Sequence, residues 1–566
     1  MGKLDKIAMI PAFHTLCRCF WFLWRWLGEI LVFAAIVAVL GWPALATALQ
    51  AVGDAMSGAS MAGVVGMRLV RLAIETIKLV ALTESIALPL GVLIGFLVFR
   101  TNAWGRRPLL AVIGVSLFVP IPLHALAWLG SFGNAGRSQA LGNAPILVGM
   151  FGAAFVHAMA ALPWVVIISG VGMRTVEREL EETALMDLSA WRVCFRVTLR
   201  RSLGPIAGAA LAVAVLTASD MTITDLLQVR TFAEESYIQG QLGLGQGAAA
   251  AVVSLPMLLV LGLLIAWAAK AILKAEPERL PSADVAASPF VLGRWRVPVG
   301  LAAWIGAGTL IGLPIYGLIW RAGRVGRLNE VRYWSPTALV NTLGASWTDL
   351  NTPVISGSFF ETLCSRPLVG TLVWATAGAF ASVTLAWSMA WFARESRFWR
   401  LITAIAVAIA LAAPGPVVGV ALKLAYLQIP QIHDTPVILV LAYVLRTFPY
   451  ALLILWPSVR GISSEHLESA TVDGLSGWGR AWRIGLPMTR SAIVAAWIVA
   501  LVLSLGELPA AYFVAPPGYD PLARVVWGML HTGVESHLAG IGLILIGGVS
   551  IVGLVATLAL SRTFGK

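Results

Sequence analysis

The sequence predicts an all-α polytopic membrane protein of about twelve transmembrane helices, arranged as two parallel repeats of six helices. Hydrophobic residues make up 59% of the 566-residue chain and charged residues only 12%, whereas a typical soluble domain has about 25% charged residues. Many apolar runs approach or exceed the ~20 residues that a helix needs to cross a bilayer. A closed barrel would instead show alternating segments of ~10 residues. A polar segment of similar sequence occurs twice, which predicts that the chain consists of two related repeats.

Each repeat is predicted to hold six spans, placed on its apolar runs. The first set is 28–49, 69–99, 108–130, 146–171, 203–222 and 248–272. The second set is 298–320, 367–393, 401–427, 436–458, 490–513 and 539–560. The first span is interpreted as a retained helix, because the N-terminal region shows no convincing small-residue cleavage site of a signal peptide.

These spans divide the chain into two repeats joined by a linker. The first repeat comprises residues 1–273, with a cytoplasmic loop at 174–202, and the second comprises residues 298–566, with a cytoplasmic loop at 460–488. The linker 274–297 is polar and contains prolines, as expected of a connecting segment. Because six helices per repeat is an even number, both repeats point the same way and are related by an axis along the membrane normal.

The distribution of basic residues predicts the orientation. Arginine and lysine concentrate in the loops that lie on one side of the predicted spans, and such loops face the cytoplasm. The exception, 321–366, is long enough to cross the membrane regardless of its charge. Both termini and both repeated segments are therefore predicted to be cytoplasmic. A net charge of +12 would suggest nucleic acid for a soluble protein, but this distribution explains it without a nucleic-acid partner.

The repeated segment runs from Leu180 to Leu203 and again from Leu467 to Ala492. Setting Leu188-Ser189 on Leu475-Ser476 pairs Glu181 with Glu468, Trp191 with Trp478, Phe195 with Trp482 and Leu199 with Leu486. Both copies are amphipathic and rich in arginine. One such copy could be an interfacial helix that only orders a loop, but two aligned copies in a duplicated protein favour a shared functional device.

Capping residues predict the local structure of the second copy. Ser463 and Ser464 suit a helix N-terminus, and Gly474 suits the end of that short helix. A second helix is predicted over 477–484, with Pro487 restarting the chain into the membrane. Leu467, Ala470 and Leu475 are expected to pack on the membrane domain or a partner, whereas Glu468 and Asp473 are expected to stay on the polar side.

The second copy resembles the EAA loop, a cytoplasmic loop of the permease subunits of ATP-binding-cassette importers. Glu468, Ala470, Gly474 and Pro487 occupy the positions of that motif. The whole chain resembles the fused two-repeat permeases of the ferric iron and thiamine branch, which are related to polyamine, sulfate and molybdate permeases. In that family the loop is a coupling helix that sits in a cleft of a separate ATPase subunit.

The first copy departs from this motif. Glu181 is kept, but Thr183 replaces the alanine, Asp187 the glycine and Arg200 the proline. A one-residue gap would instead pair Glu182 and Ala184 with Glu468 and Ala470, still without the glycine. The resemblance implies that Glu181, Thr183 and Asp187 in the first copy, and Glu468, Ala470 and Gly474 in the second, couple the chain to an ATPase.

The chain lacks sequences for hydrolysing ATP itself. Gly-Lys occurs only at Gly2-Lys3 and Gly565-Lys566, and neither belongs to a Walker A motif. There is also no His-Glu-x-x-His or nucleophile-elbow sequence, and the four cysteines lack metal-ligand spacing with nearby histidines. We therefore expect no enzyme activity, no cofactor and no metal site.

The resemblance supplies the expected partners and location. Two separate ATPase subunits and an extracytoplasmic substrate-binding protein are expected, in the inner membrane of a prokaryote. The alternative is a twelve-helix secondary transporter driven by an ion gradient. The basic loop Arg100–Arg107 faintly resembles a turn of that class but lacks the acidic residue expected there.

Ionisable residues inside the predicted spans are candidates for the solute pathway, because they are costly in lipid. Asp220 and Glu507 occupy matched positions near the outer ends of the fifth and eleventh spans, where a pair of carboxylates would attract a cation. Solvated positions at the membrane interface are the alternative. His157 and Arg446 are interpreted as satisfied or snorkelling side chains. Ferric iron is the first choice of solute, and thiamine or a polyamine fits the same features.

Further matched residues extend the duplication and predict breaks in equivalent helices. Prolines at matched positions inside spans are tolerated where neighbouring helices satisfy the freed backbone. The matches are Pro120 and Pro122 with Pro414 and Pro416, Pro163 with Pro449, and Glu75-Thr76 with Gly370-Thr371.

Overall fold

The computed structural model describes residues 27–56, 67–241, 255–267, 290–325, 333–532 and 535–564, apart from the single positions 118, 135, 141, 355 and 357. The described residues are almost entirely helical, with one antiparallel pair of two-residue strands, β1 (Arg324–Val325) and β2 (Tyr333–Trp334). Most of the predicted linker 274–297 lies outside the described residues, which resume at 290.

The first repeat contributes twelve helices to this description. The longest of these helices ends at Arg100. The helices after it are either long spans or short helices that connect the spans. They are α1 (27–56, with a π-helical stretch at Val37–Gly41), α2 (Met67–Arg100), α3 (Arg106–Ser116), α4 (Ile121–Phe132), α5 (Arg137–Ala140), α6 (Gly149–Arg174), α7 (Arg178–Asp187), α8 (Ala190–Arg201), α9 (Leu203–Ser219), α10 (Thr222–Leu226), α11 (Phe232–Gln241) and α12 (Leu255–Trp267).

The second repeat follows the same order, with two extra helices before its core. They are α13 (Arg296–Ala322), α14 (Pro336–Asn351), α15 (Phe359–Cys364), α16 (Pro367–Glu395), α17 (Arg397–Ala412), α18 (Gly415–Tyr426), α19 (Pro430–His433), α20 (Val437–Arg460), α21 (Ser464–Val472), α22 (Gly477–Leu505), α23 (Pro509–Val514), α24 (Leu522–Thr532) and α25 (Glu535–Phe564). Helices α14 and α15 belong to the long segment 321–366, which has no counterpart of equal size in the sequence of the first repeat.

The prediction of a polytopic all-α membrane protein is confirmed. Among the described residues, seven helices are long and apolar enough to cross a membrane, and three bent pairs bring the number to ten. Two shorter apolar stretches, Leu255–Trp267 and Ser536–Gly548, lie where the remaining two spans are predicted. Each of the twelve predicted spans therefore overlaps a helix.

The predicted breaks are confirmed at Pro120 and Pro414, whereas Pro163 and Pro449 lie inside the unbroken helices α6 and α20, where the prediction of a break is wrong. Helices α3 and α4 form one pair bent by 103°, and α17 and α18 form another bent by 111°. Pro120 and Pro414 stand at the two breaks with nearly the same backbone angles, φ −61° and ψ 149° against φ −60° and ψ 147°. Because proline lacks an N–H and disfavours helix in the residue before it, each span breaks there.

The two repeats exchange their first helices. Helix α1 packs on α18 of the second repeat, where Trp42 Nε1 donates to Ala425 O at 2.8 Å and Tyr426 Oη donates to Ala38 O at 2.7 Å. Helix α13 packs on α4 of the first repeat, where Ser131 Oγ donates to Leu313 O at 3.1 Å. The chain halves are therefore interleaved in space.

Close helix packing holds each repeat together. Gly95 of α2 lies so near α6 that an added Cβ would stand 3.0 Å from Val166 O, and a Cβ added at Gly378 of α16 would stand 2.6 Å from the Cβ of Tyr443 in α20. Small residues allow helices to approach closely, and this packing replaces the hydrophobic effect inside a bilayer.

The chain direction defines two ends of the bundle. Helices α2, α6, α16 and α20 end beside the two repeated segments, and we call this the loop end. Helices α9 and α22 lead away from it to α10, α11, α23 and α24, and we call the opposite end the distal end.

Candidate functional site

The two repeated segments form matching loops at the loop end. Each begins with a short helix, α7 in the first loop and α21 in the second, and each then turns at Ser189 or Ser476 into a helix with one π-helical stretch. The π-helical stretches Cys194–Thr198 and Ala481–Gly485 stand at equivalent places. The two loops therefore share the order of their helices and the position of the π-helical stretch.

Burial decides how the two copies align. Glu181 is 4% exposed, whereas Glu468 is exposed and the buried residue at the equivalent turn of α21 is Leu467. Glu182 is exposed like Glu468. The ungapped pairing of Glu181 with Glu468 is therefore wrong as a structural alignment, and the one-residue gap is correct.

The gap lies at the turn that ends the first helix. Gly474 adopts φ +81°, and its turn is closed by the N–H of Leu475 donating to Ala470 O at 2.9 Å. This left-handed turn suits glycine because a Cβ is strained there. In the first loop Leu188 is extended directly after α7. Asp187 is thus the last residue of α7 rather than a substituted glycine.

Glu181 anchors the first loop from inside. Its carboxylate accepts hydrogen bonds from Arg100, at the end of α2, and from Thr198 Oγ1 at 2.6 Å. Arg100 is fully buried, with its guanidinium 5.7 Å from the ring centre of Phe290. Glu181 is not at the surface for a partner to touch, whereas the other first-loop candidates, Thr183 and Asp187, are exposed.

The second loop distributes its candidate residues differently. Leu467 and Ala470 are buried, as predicted, and Leu475 is partly buried, whereas Glu468, Asp473 and Gly474 are exposed. The prediction that Pro487 restarts the chain is wrong, because α22 continues through Pro487 as one helix. Proline is tolerated there because it lies in the first turn of the α-helical part. In the first loop, by contrast, α8 and α9 meet at 64°.

Two exposed apolar side chains mark the tips of these loops. Met186 near the end of α7 is 86% exposed, and Val472 at the end of α21 is 87% exposed, at equivalent positions. Edge-to-face aromatic pairs lie beside them, with ring centres 4.4 Å apart for Trp191 and Phe195 and 5.8 Å apart for Trp478 and Trp482. The sequence reasoning missed Met186 and Val472, although the gapped alignment pairs them.

The other predicted candidates, Asp220 and Glu507, lie at matched breaks near the distal end. They are 5% and 9% exposed. Asp220 Oδ2 accepts a hydrogen bond from the N–H of Ile223 at 2.9 Å, and Glu507 Oε1 accepts one from the N–H of Ala510 at 3.0 Å. Each carboxylate therefore caps the short helix that follows its break, and neither is a solvated interfacial group.

Basic side chains from neighbouring spans face both carboxylates. Arg446 Nε donates to Glu507 Oε2 at 3.1 Å, and its Nη1 donates to Ala413 O at 2.9 Å. His157 Nε2 lies 3.7 Å from Asp220 Oδ2. The interpretation of Arg446 as a satisfied side chain is confirmed. With both carboxylates ionised and His157 neutral, the group formed by Asp220, Glu507 and Arg446 carries one excess negative charge.

A cavity of about 100 Å³ lies between the repeats, and His157, Arg446 and Glu507 are among its lining residues, whereas Asp220 is not. Its lining includes Pro120 and Trp164 of the first repeat with Arg446, Tyr450 and Glu507 of the second. Trp164 and Tyr450 each follow a matched proline, and their ring centres are 6.1 Å apart. In the described part of the chain, no group of three or more histidine, cysteine or acidic side chains is placed to hold a metal.

Side chains at the distal end complete the site, and the sequence reasoning did not single them out. Trp527 Nε1 donates to Tyr237 Oη at 3.1 Å, and His531 Nε2 lies 2.9 Å from Asp225 Oδ2. Burial, and then the charge of Asp225, raises the pKa of Glu234 in α11 to about 7. The contacts of Tyr237 with Trp527 and of Asp225 with His531 join the two repeats, and they could not be found from local sequence.

The sequence of the chain is similar to sequences of known proteins. A profile of the family described as "Binding-protein-dependent transport system inner membrane component" matches residues 87–275 and 382–563, once in each repeat and over more than half of the chain. Both matches begin after the exchanged first helices, α1 and α13.

Individual relatives match shorter stretches. Putrescine transport system permease protein PotI of Escherichia coli (strain K12) is 30% identical over 122 residues, 22% of this chain and 43% of that protein. Spermidine/putrescine transport system permease protein PotC of the same strain is 24% identical over 124 residues, 22% of this chain and 47% of that protein. Osmoprotective compounds uptake permease protein GgtC of Synechocystis sp. is 36% identical over 61 residues, 10% and 22% of the two chains. The matched stretches span less than half the length of these curated relatives.

Proposed function

The chain belongs to the family of binding-protein-dependent transport system inner membrane components, and on that basis we propose that it is the permease subunit of an ATP-binding-cassette importer with both repeats fused in one chain. The observation that carries the proposal is the pair of matched loops, with Met186 and Val472 exposed at equivalent tips. An exposed apolar side chain at the end of a short polar helix suits insertion into a pocket of a partner.

We propose that two ATPase subunits dock on these loops, one on each. Closure of the ATPase pair would move α7 and α21 and thereby bias the bundle between two states. The first loop would transmit movement through Glu181 and Arg100 to α2. The second loop, which has Leu467 in place of Glu181, would transmit movement through apolar packing and the unbroken helix α22.

The proposed orientation follows from the same assignment. The loop end and both termini lie in the cytoplasm, and the distal end receives solute from an external binding protein. The arginine-rich loops support this orientation, as does the family description as an inner membrane component.

Loop docking can be tested with charged substitutions at the tips. A carboxylate at Val472 would be desolvated in a docked interface, so we expect Val472→Asp to weaken association with the ATPase by about 30-fold, the size of a typical hot-spot loss. Met186→Asp tests the first loop in the same way. The purified permease is immobilised on a sensor surface, and the binding of its ATPase is measured by surface plasmon resonance. Glu465→Gln, an exposed change at the other end of α21, serves as the control, and unchanged binding of the Val472→Asp protein would contradict docking at this tip.

We propose a small organic cation of the polyamine class as the solute. The names of the relatives PotI and PotC support this class, and so does the excess negative charge beside the central cavity. Ferric iron, favoured from the sequence, has no support from the relatives and becomes the second candidate.

The Asp220 carboxylate allows a test of the solute charge. Asp220→Asn keeps an oxygen that can cap α10 but removes the excess negative charge, so we expect at least about tenfold slower uptake of putrescine, because one opposite charge in a low-dielectric site contributes more than 1.4 kcal/mol. Uptake is measured in proteoliposomes holding permease, ATPase and binding protein, with Asp520→Asn as a partly exposed control. Unchanged putrescine uptake would contradict the role of Asp220. ATP-independent uptake driven by an ion gradient would instead support a secondary transporter.

A further inference from the structure

The contacts between the two repeats at the distal end include two side-chain pairs, beside the packing of Tyr237 on Tyr512 and Phe513. Tyr237 and Trp527 share a hydrogen bond of 3.1 Å and pack edge to face with ring centres 5.7 Å apart. Asp225 and His531 lie 2.9 Å apart. In both pairs one residue comes from the first repeat and the other from the second, so the pairs hold the distal ends of the repeats together.

The aromatic pair joins equivalent residues. The N–H of Phe232, the first residue of α11, donates to Thr76 Oγ1 at 3.3 Å, and the N–H of Leu522, the first residue of α24, donates to Thr371 Oγ1 at 2.8 Å. Helices α11 and α24 therefore start from matched threonines, and Tyr237 and Trp527 each stand five residues further along.

Equivalent residues of two related units can touch each other only close to the symmetry axis that relates the units. Trp164 and Tyr450 are a second such pair, with ring centres 6.1 Å apart, and both line the central cavity. The two contacts therefore mark one line through the molecule, with Trp164 and Tyr450 at the cavity and Tyr237 and Trp527 at the distal end.

The residues that make these contacts lie on short helices, each of which follows a break at the end of a span. Helices α10 and α11 follow the break at Asp220, and α23 and α24 follow the matched break at Glu507. These short helices are joined to the spans before them by non-helical breaks and not by continuous helix. The Asp225–His531 pair is partly open to water, with side-chain exposures of 21% and 46%, and ion pairs of that kind are weak. The closure is thus made of contacts that can separate.

We propose that Tyr237 and Trp527, reinforced by Asp225 and His531, form a gate that must separate to admit solute to the central cavity from the distal side. The proposal rests on the permease function given above and adds the residues that control entry. In this structure the gate is shut.

Reversible crosslinking tests the gate. In full-length permease with its four cysteines replaced by serine, Tyr237→Cys and Trp527→Cys are joined by a short, reducible bis-thiol reagent. In proteoliposomes with ATPase and binding protein, crosslinking should lower ATP-driven uptake at least tenfold, and a reductant should restore it. The single-cysteine variants should not respond to the reagent. Uptake by the crosslinked protein at the rate of the reduced protein would overturn the gate, whereas absence of ATP-driven uptake in the unsubstituted permease would overturn the permease function instead.

A second measurement needs no transport. Thr217 lines the cavity and is 1% exposed. In the cysteine-free background, Thr217→Cys should react at least tenfold faster with a charged, membrane-impermeant thiol reagent when Tyr237→Ala and Trp527→Ala are added. Tyr333→Ala, which removes an exposed aromatic ring of β2, should leave the rate unchanged. Equal rates with and without the two gate rings would overturn the proposal even if every variant folds.

Discussion

A Glu181→Ala protein should be less stable than the unsubstituted permease by about 3–5 kcal/mol, the usual loss when one partner of a buried ion pair is removed. Arg100 would keep its charge in a site where it is 0% exposed, and its Nε and Nη1 already lack hydrogen-bond partners among the described residues. Thr198 Oγ1 would lose its acceptor as well. Unfolding in detergent micelles, followed by circular dichroism, measures the loss.

Two further variants separate the ion pair from the surface charge of α7. Glu182→Ala, the exposed neighbour, should change stability by no more than about 0.5 kcal/mol, as surface substitutions usually do. The double substitution Arg100→Met with Glu181→Leu should recover most of the stability, because buried ion pairs can often be replaced by apolar side chains. Leucine occupies the equivalent place in the second loop at Leu467. A single Glu181→Ala protein as stable as the Glu182→Ala protein would show that the ion pair does not hold the first loop.

The second large effect concerns Gly474. Gly474→Arg should abolish ATP-driven uptake and weaken association with the ATPase at least tenfold, because it changes the exposed turn in two ways. A side chain at φ +81° costs roughly 1–2 kcal/mol, and the guanidinium would project from the turn next to Val472. An added Cβ would meet no atom within 4 Å, so we expect the rest of the permease to keep its fold.

Gly518 offers a matched control for this variant. It also has φ +81° but lies between α23 and α24 at the distal end. Gly518→Arg should carry a similar backbone strain and leave association with the ATPase unchanged. Gly474→Ala separates strain from bulk and should give an intermediate loss. Normal association of the Gly474→Arg protein would count against docking of the second loop.

The fold and part of the site could be predicted from the sequence. The length of each apolar run predicts a span, and Pro120 and Pro414 predict the breaks, because these are properties of consecutive residues. The matched carboxylates Asp220 and Glu507 were found in the same way. Their roles as helix caps were not, since capping depends on the backbone geometry that follows each break.

The alignment of the two loops shows the limit of sequence reasoning. Because both residues are glutamates, the sequence favoured pairing Glu181 with Glu468. In the structure Glu181 faces Arg100 inside the protein, whereas Glu468 faces outward. A shift of one residue turns a helical side chain by about 100°, so similarity alone could not decide which glutamate is buried. The clue was that the first loop lacks a glycine equivalent to Gly474, because its turn is one residue shorter than the turn of the second loop.

The amino-acid sequence alone identifies a duplicated helical membrane protein with two matching loops and no ATP-hydrolysing motif. Which groups meet depends on the packing of the helices: Arg100 with Glu181, 81 residues apart; Arg446 with Glu507, 61 apart; and Tyr237 with Trp527, 290 apart. The exchange of first helices between the repeats depends on the same packing. The physical reason is that local sequence specifies backbone propensity and polarity, whereas charge pairing and closure at the axis depend on how distant helices pack against one another.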